Sequence, residues 1–354
     1  MKGSILSFLA LAPAALAWPE AEGKDIRFST VGGYFLQDEA STDPSGFDYV
    51  NWNFGLLNRT YPTDGSFDPN GSRTQWERFA RWVSYLNNNC QNDQTTRFKL
   101  LFLGRHGEGW HNAAESFYGT PAWNCYWSVQ TGNGTAHWED PHLTPAGYRE
   151  AYKANAYFKQ RYEDYGLPFF ESYYTSPLTR CTVTANVTFA DIDLPAELPF
   201  APIVKEGFRE GMTVHTCNHR SNRTYMEETL PVLQFEEGFT EFDELWHADE
   251  NETQEHMNWR AREVLEDVFT NDDNTWISVT AHSGTVTNLL RTLNHRAFRL
   301  ATGQIIPVLV KAEVVAPTPT EPFVSYTPSA TCQAPPITSI AGTGCVCTPT
   351  PTAL

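Results

Sequence analysis

An arginine, a histidine and a glycine stand together at Arg105-His106-Gly107, and a second histidine opens His282-Ser283-Gly284. Between them in the chain lies Ser176-Pro177-Leu178-Thr179-Arg180. A neutral imidazole is a nucleophile at physiological pH, and a guanidinium is a permanent cation with paired N–H donors. Two histidines and two arginines in three short clusters therefore suit the binding of an anionic, phosphate-like group. Each cluster alone is a motif that recurs by chance, and it is their joint occurrence that carries information.

The clusters do chemistry only if the elements before them bring them together. Within residues 97–112, a short apolar run bounded by Lys99 and Gly104 reads as a buried parallel strand ending at the first cluster. Phe169–Thr175 and Thr275–Thr280 are two further apolar runs, ending at the second and third clusters. A helix is expected after each: from about Pro145 to Tyr162 with Thr144 as N-cap, through Thr182–Phe189 with Arg180 in its first turn, and from Ser283 through Leu293. Thr74–Leu86 and Glu252–Phe269 read as two more helices, and Ile305–Val315 as a last strand. The alternation predicts an α/β fold, a three-layer α/β/α arrangement with a mostly parallel central sheet. Parallel strands end on one edge, where helix N-termini also direct free N–H groups at an anion.

Composition bounds the rest. The 354-residue chain carries a formal net charge of −17, which repels nucleic acid and anionic membrane, so any anionic substrate must be held by a local cationic cluster. Met1–Ala17 has Lys2, an apolar run and Ala15-Leu16-Ala17 before Trp18, the pattern of a secretory signal peptide. No other stretch is apolar enough to span a membrane, and the expectation is a secreted protein. Sequons at Asn58, Asn70, Asn133, Asn186, Asn222 and Asn251 agree with export and mark candidate glycosylation sites. Several of the seven cysteines should then pair; an odd count leaves one over. Residues 18–315 read as one domain whose 18–75 portion is largely loop and whose 191–252 portion is an inserted cap. Residues 316–354, rich in Pro, Thr and Ser, are expected to be a disordered, O-glycosylated tail.

The combined motifs resemble the histidine phosphatase superfamily, also called phosphoglycerate mutase-like. Arg105 to Asn112 is similar to the mutase pattern R-H-G-E-S-x-W-N, with Gly109 and His111 departing from it. Trp138-Glu139-Asp140 through Leu143-Thr144 and Gly147 resembles W-x-D-x-x-L-T-x-x-G, and Tyr174–Ala185 resembles T-S-x-L-x-R-x-x-x-T-A. Ala281–Gly284 resembles the second histidine motif, and the arrangement Gly109-x-His111-Asn112 after the first motif is most similar to the fungal phosphomutase-like branch. The phytase-like pattern R-H-G-x-R-x-P is broken by Glu108-Gly109-Trp110, and Ser283, not Asp, follows His282.

The resemblance implies that His106 is the nucleophile, that Arg105, Arg180 and His282 bind phosphoryl oxygens, and that Gly107, Asn112 and Ser283 complete the substrate site. It implies a proton-donating glutamate in the insertion, for which Glu210 is the candidate and Glu206 the rival. Arg220 and Arg223 are candidates for a second anionic group on the substrate, or a solvated basic patch. His215, Cys217 and His219 alternate as metal ligands do, but three on one strand face rarely suffice for zinc, and Cys217 is expected in a disulfide. Cys345 and Cys347 are also expected to pair rather than bind metal. Trp110, Trp123, Tyr126 and Trp127 are either a pocket wall or core. The implied activity is a secreted phosphomonoester hydrolase acting on a small phosphorylated substrate without metal or cofactor. A phosphomutase or isomerase, a tailoring enzyme and an inactive binding scaffold are the alternatives; the oligomeric state stays open.

Overall fold

The run after Arg97 forms a strand whose register against its neighbours fixes where the first cluster lies. In the computed structural model, residues 18, 21, 23–89, 95–319, 321–335, 345 and 347 are described. The expected signal peptide and Cys90 lie outside them. In chain order the strands are β1 (Asp25–Thr30), β2 (Thr96–Arg105), β3 (Ser172–Thr175), β4 (Ile203–Val204), β5 (Gln234–Phe235), β6 (Glu250–Glu252), β7 (Trp276–Ala281), β8 (Ile305–Val315) and β9 (Tyr326–Pro328). The helices are α1 (Asp64–Phe67), α2 (Gln75–Asn89), α3 (Trp110–Tyr118), α4 (Thr120–Cys125), α5 (Pro145–Tyr165), α6 (Thr179–Phe189), α7 (Arg223–Thr229), α8 (Gln254–Asn271) and α9 (Ser283–Thr292).

Seven strands form one mixed sheet in the order β1-β8-β2-β7-β3-β4-β5, with helices flanking it. From β2 to β5 the pairings are parallel, whereas β8 runs antiparallel to β2 and β1. The α/β expectation is met, and β2, β3 and β7 end side by side: Arg105 is opposite Ala281, and Thr175 opposite Thr280. One residue further on, His106 N donates to Ala281 O at 3.0 Å and Ser176 N to Thr280 O at 3.0 Å. The ladder thus continues into the clusters and gives them fixed positions. Beneath it Phe54, Trp76, Phe102, Phe158 and Phe170 pack edge-to-face and tilted, a rigid aromatic floor for β2.

Three expectations need correction. The 18–75 portion is not all loop, because β1 buries Ile26 and Phe28 and pairs along six residues of β8. The 191–252 insertion is not only a cap, because β4 and β5 extend the sheet and close their own apolar cluster of Val204, Met226, Leu233 and Phe239. The tail is not wholly without structure: β9 pairs antiparallel with β6, and Thr253 Oγ1 donates to Val324 O. Disulfides Cys125–Cys345 and Cys332–Cys347 fasten it. Cys345 and Cys347 therefore both pair, but not with each other. Cys217 does not pair: it is a buried free thiol packed with Ala114, Trp123 and Trp138, and Cys181 is a second one. Among the sequons, Asn58, Asn70 and Asn133 are exposed, while Asn186, Asn222 and Asn251 are half-buried.

Candidate active site

His106 is 2 % exposed at the end of β2, and its Nδ1 lies 2.7 Å from Gly107 O. A carbonyl only accepts, so Nδ1 carries the proton and Nε2 keeps its lone pair. Gly107 N donates to Thr184 Oγ1 of α6 at 3.0 Å, and a Cβ on Gly107 would collide with Gly147 O. Gly147 is equally tight against Glu108, so the α5 N-terminus presses on the histidine loop through two glycines. Thr144 caps that helix by accepting from Gly147 N at 3.2 Å, and its hydroxyl donates to Glu108 Oε1 at 2.6 Å. The stretch from Trp138 to Gly147 is thus a clamp on the loop that carries the nucleophilic ring.

Arg180 is the second residue of α6 and 1 % exposed. Its helix is capped from afar: Thr179 N and Oγ1 donate to Asp140 at 2.8 and 2.7 Å, and Ser221 N donates to the same carboxylate at 2.9 Å. Asp140 holds φ at 35°, a left-handed backbone unusual for a residue that is not glycine. Arg180 Nη1 donates to Cys217 O at 2.7 Å and Arg105 Nη1 to Leu300 O at 3.0 Å, while the Nε of each is buried without a partner. An arginine Nε only donates, so each is short of an acceptor, which an oxyanion supplies.

His282 is fully buried, its Nε2 2.8 Å from Ser176 Oγ and 3.3 Å from Cys181 Sγ. Its ring centroid is 5.1 Å from that of His106, and the His111 ring centroid is 5.5 Å from that of His106. Burial, with Arg180 and Arg105 alongside, holds all three imidazoles well below the usual histidine pKa. The site therefore pairs fixed cations with neutral rings. Burial also pushes the Cys217 thiol up to about 12, and Cys181 likewise upward, so neither is a thiolate.

Of the two glutamates, only Glu210 reaches this group. Its carboxylate accepts from Gly211 N at 3.0 Å and from Gly284 N at 3.2 Å, in the first turn of α9. A Cβ on Gly284 would strike Glu210 Oε1, so the glycine two residues after His282 makes the seat. Glu206 is instead bound by Arg220 Nε at 2.6 Å and Arg209 Nη1 at 3.3 Å. Ser283 opens α9 beside His282, and Asn112 Oδ1 accepts from Gly109 N at 3.0 Å to cap α3.

Arg220 and Arg223 are not placed as ligands for a second anion. Arg220 is 2 % exposed, and its donors are used by Glu206 and by Ser221, Thr240, Glu241 and Phe242. Arg223 pairs along α7 with Glu227 at 2.7 Å and lies over the Phe235 ring. His215 packs beside Trp123, while His219 stacks on Trp246 and meets Glu139 at 3.1 Å. Among the described residues no three His, Cys, Asp or Glu side chains gather as a metal site would require. Trp123 belongs to the small buried cluster around Cys217, Trp127 stacks on Tyr118 at 4.1 Å, and Trp110 is exposed at the head of α3. Asp140, Ser176, Thr184 and His111 have no role legible from sequence. All four stand inside the quoted motifs, but only tertiary contacts assign them.

The family model described as histidine phosphatase superfamily (branch 1) matches residues 101–305. A protein of Arthroderma benhamiae named "Probable phosphoglycerate mutase" is 43% identical over 297 residues, covering 84% of this chain and 88% of that one. "Phosphomutase-like protein 3" of Candida albicans is 35% identical over 288 residues, 81% of each chain. The crystal structure of phosphoglycerate mutase from Thermus thermophilus is 19% identical with a TM-score of 0.31, covering 59% of this chain and 91% of that one.

Proposed function

The chain belongs to the histidine phosphatase superfamily (branch 1), and from this premise we propose that it hydrolyses small phosphomonoesters through a phosphohistidine at His106. The carrying observation is the His106 ring: Nδ1–H held by Gly107 O, Nε2 with its lone pair, and two arginines beside it whose Nε atoms lack acceptors. In the proposed reaction the Nε2 lone pair forms a bond to phosphorus while the bond from phosphorus to the ester oxygen breaks. The arginines and His282 hold the other phosphoryl oxygens, where charge is spread in the transition state. Glu210, protonated, gives its proton to the leaving oxygen. As a carboxylate it then takes a proton from water, which attacks the phosphohistidine and releases inorganic phosphate and the neutral ring. No step calls for a metal. Retention of His106, Arg105, Arg180, His282 and Glu210 in one cluster argues against an inactive scaffold.

Export is part of the same proposal: residues 1–17 as a cleaved leader, and the sequons as glycan acceptors. The two disulfides support it, since such bonds persist in oxidising compartments. A phosphomutase is the second reading, favoured by the names of the relatives.

One experiment separates these. Mature protein and His106→Ala are assayed on an aryl phosphate with chelator present, with and without an alcohol acceptor, following released phosphate and transferred phosphoryl group. Chelator-resistant phosphate release that falls at least about a thousandfold in the variant is expected. Transfer to an acceptor without net release supports the mutase, and a folded wild type that does neither overturns both.

A further inference from the structure

His111 stands where the mutase pattern has tryptophan, and Gly109 where it has serine, and the geometry couples the two. A Cβ built on Gly109 would lie 2.7 Å from His111 Nδ1, 2.9 Å from Cε1 and 3.5 Å from Arg180 Cδ. The imidazole thus occupies the space that any other residue at 109 would fill, close to the stem of Arg180. Its Nδ1 is buried and has no hydrogen-bond partner. The neighbouring atom along the Arg180 chain, Nε, is buried and unpartnered as well, and so is Nε of Arg105. Unmade hydrogen bonds on buried groups are costly, and three at one place imply a group that satisfies them together.

We propose that His111 is a third imidazole of the phosphate pocket, donating from Nδ1 to an oxygen of the same phosphoryl group that Arg105 and Arg180 hold. Gly109 is its necessary companion, since a side chain there displaces the ring. The inference rests on the anion site described above but not on turnover. A dianionic phosphate presents three peripheral oxygens, enough for both Nε atoms and one imidazole donor. Tryptophan carries its one donor, the indole Nε1–H, a bond further from Cγ than histidine Nδ1, so the pair Gly109 and His111 sets a donor closer to the backbone than the mutase pattern does.

The test is equilibrium binding of inorganic phosphate to the mature protein, with imidazole 15N shifts recorded during the titration. The His111→Phe variant keeps a planar ring without nitrogen, and His111→Asn keeps an amide N–H near the position of Nδ1. Expected are a His111 15N shift on phosphate addition, binding weakened about tenfold or more in His111→Phe, and recovery of most of that loss in His111→Asn. Gly109→Ala should weaken binding as much as His111→Phe. A folded His111→Phe that binds phosphate within twofold of wild type overturns the proposal, as does equal loss in the Phe and Asn variants, which would mark the ring as packing only. If wild type itself binds no phosphate, the phosphoryl-transfer reading falls first, and this inference with it. If it binds but turns nothing over, hydrolysis falls while the role of His111 stands.

Discussion

His106 works as a nucleophile only as the neutral ring with Nε2 unprotonated, and burial together with Arg180 and Arg105 maintains that state. The acid limb of kcat/KM, after allowance for the substrate's second ionisation, is therefore expected well below pH 6.5, measured as a pH–rate profile. The same depression makes the protein acid-sensitive. A histidine whose folded pKa is lowered binds fewer protons than in the unfolded chain, so stability is lost as pH falls through 6.5. For His215, which burial lowers to about 4, the window is about pH 6.5 to 4. Melting temperature should fall across that interval, and saturating phosphate should blunt the decline. Glu210 is separable by leaving group. Glu210→Gln should slow hydrolysis of an alkyl phosphate by about 100-fold or more, yet barely affect a dinitrophenyl ester that needs no proton; equal losses on both would remove it as the acid.

At the scale of elements, α6 is the piece on which anion binding turns, and its cap lies 39 residues upstream. Asp140→Ala removes three hydrogen bonds and should cost about 1–2 kcal/mol in denaturant unfolding while raising KM more than it lowers kcat, because Arg180 drifts. Asp140→Asn, which keeps an acceptor and tolerates a left-handed backbone, should recover most of both. The contrast with α5 explains what sequence discloses. Thr144 and Pro145 are adjacent to the helix they start, so that N-terminus is readable, as is β8 from its run of apolar residues. The Asp140 cap depends on a contact between distant stretches of chain, and the reversal of β8 on a crossover that no local pattern records. β1 escapes a sequence reading because its alternation spans only Ile26 and Phe28, and its partner lies near the far end of the chain. The motifs at Arg105-His106, Ser176–Arg180 and His282 locate the cluster because each follows a strand. They do not choose between Glu210 and Glu206, since that choice is made by Arg209 and Arg220 occupying one of them.

Across the whole molecule, the tail is a strap over the insertion. β9 pairs with β6, and Cys345 reaches Cys125 at the end of α4. Close to that anchor, Trp123, Trp138 and Cys217 pack together, and the Cys217 carbonyl holds Arg180. Reduction of both disulfides should therefore lower stability by about 3 kcal/mol or more, read by denaturant unfolding, and also raise KM. A large fall in stability with KM unchanged would show that the strap does not reach the site. The same scale carries the electrostatics: a chain of formal net charge −17 encloses a pocket that gathers Arg105 and Arg180, so anion affinity is built locally.

The bridge from Cys125 to Cys345 spans 220 positions, so its second half does not exist until residue 345 has left the ribosome. By then every strand of the main sheet and every residue of the His106 cluster has already been synthesised. Synthesis therefore has an order written into it: the residues of the pocket are made first and the latch last, and a nascent chain halted just short of Cys345 would carry those residues without the latch.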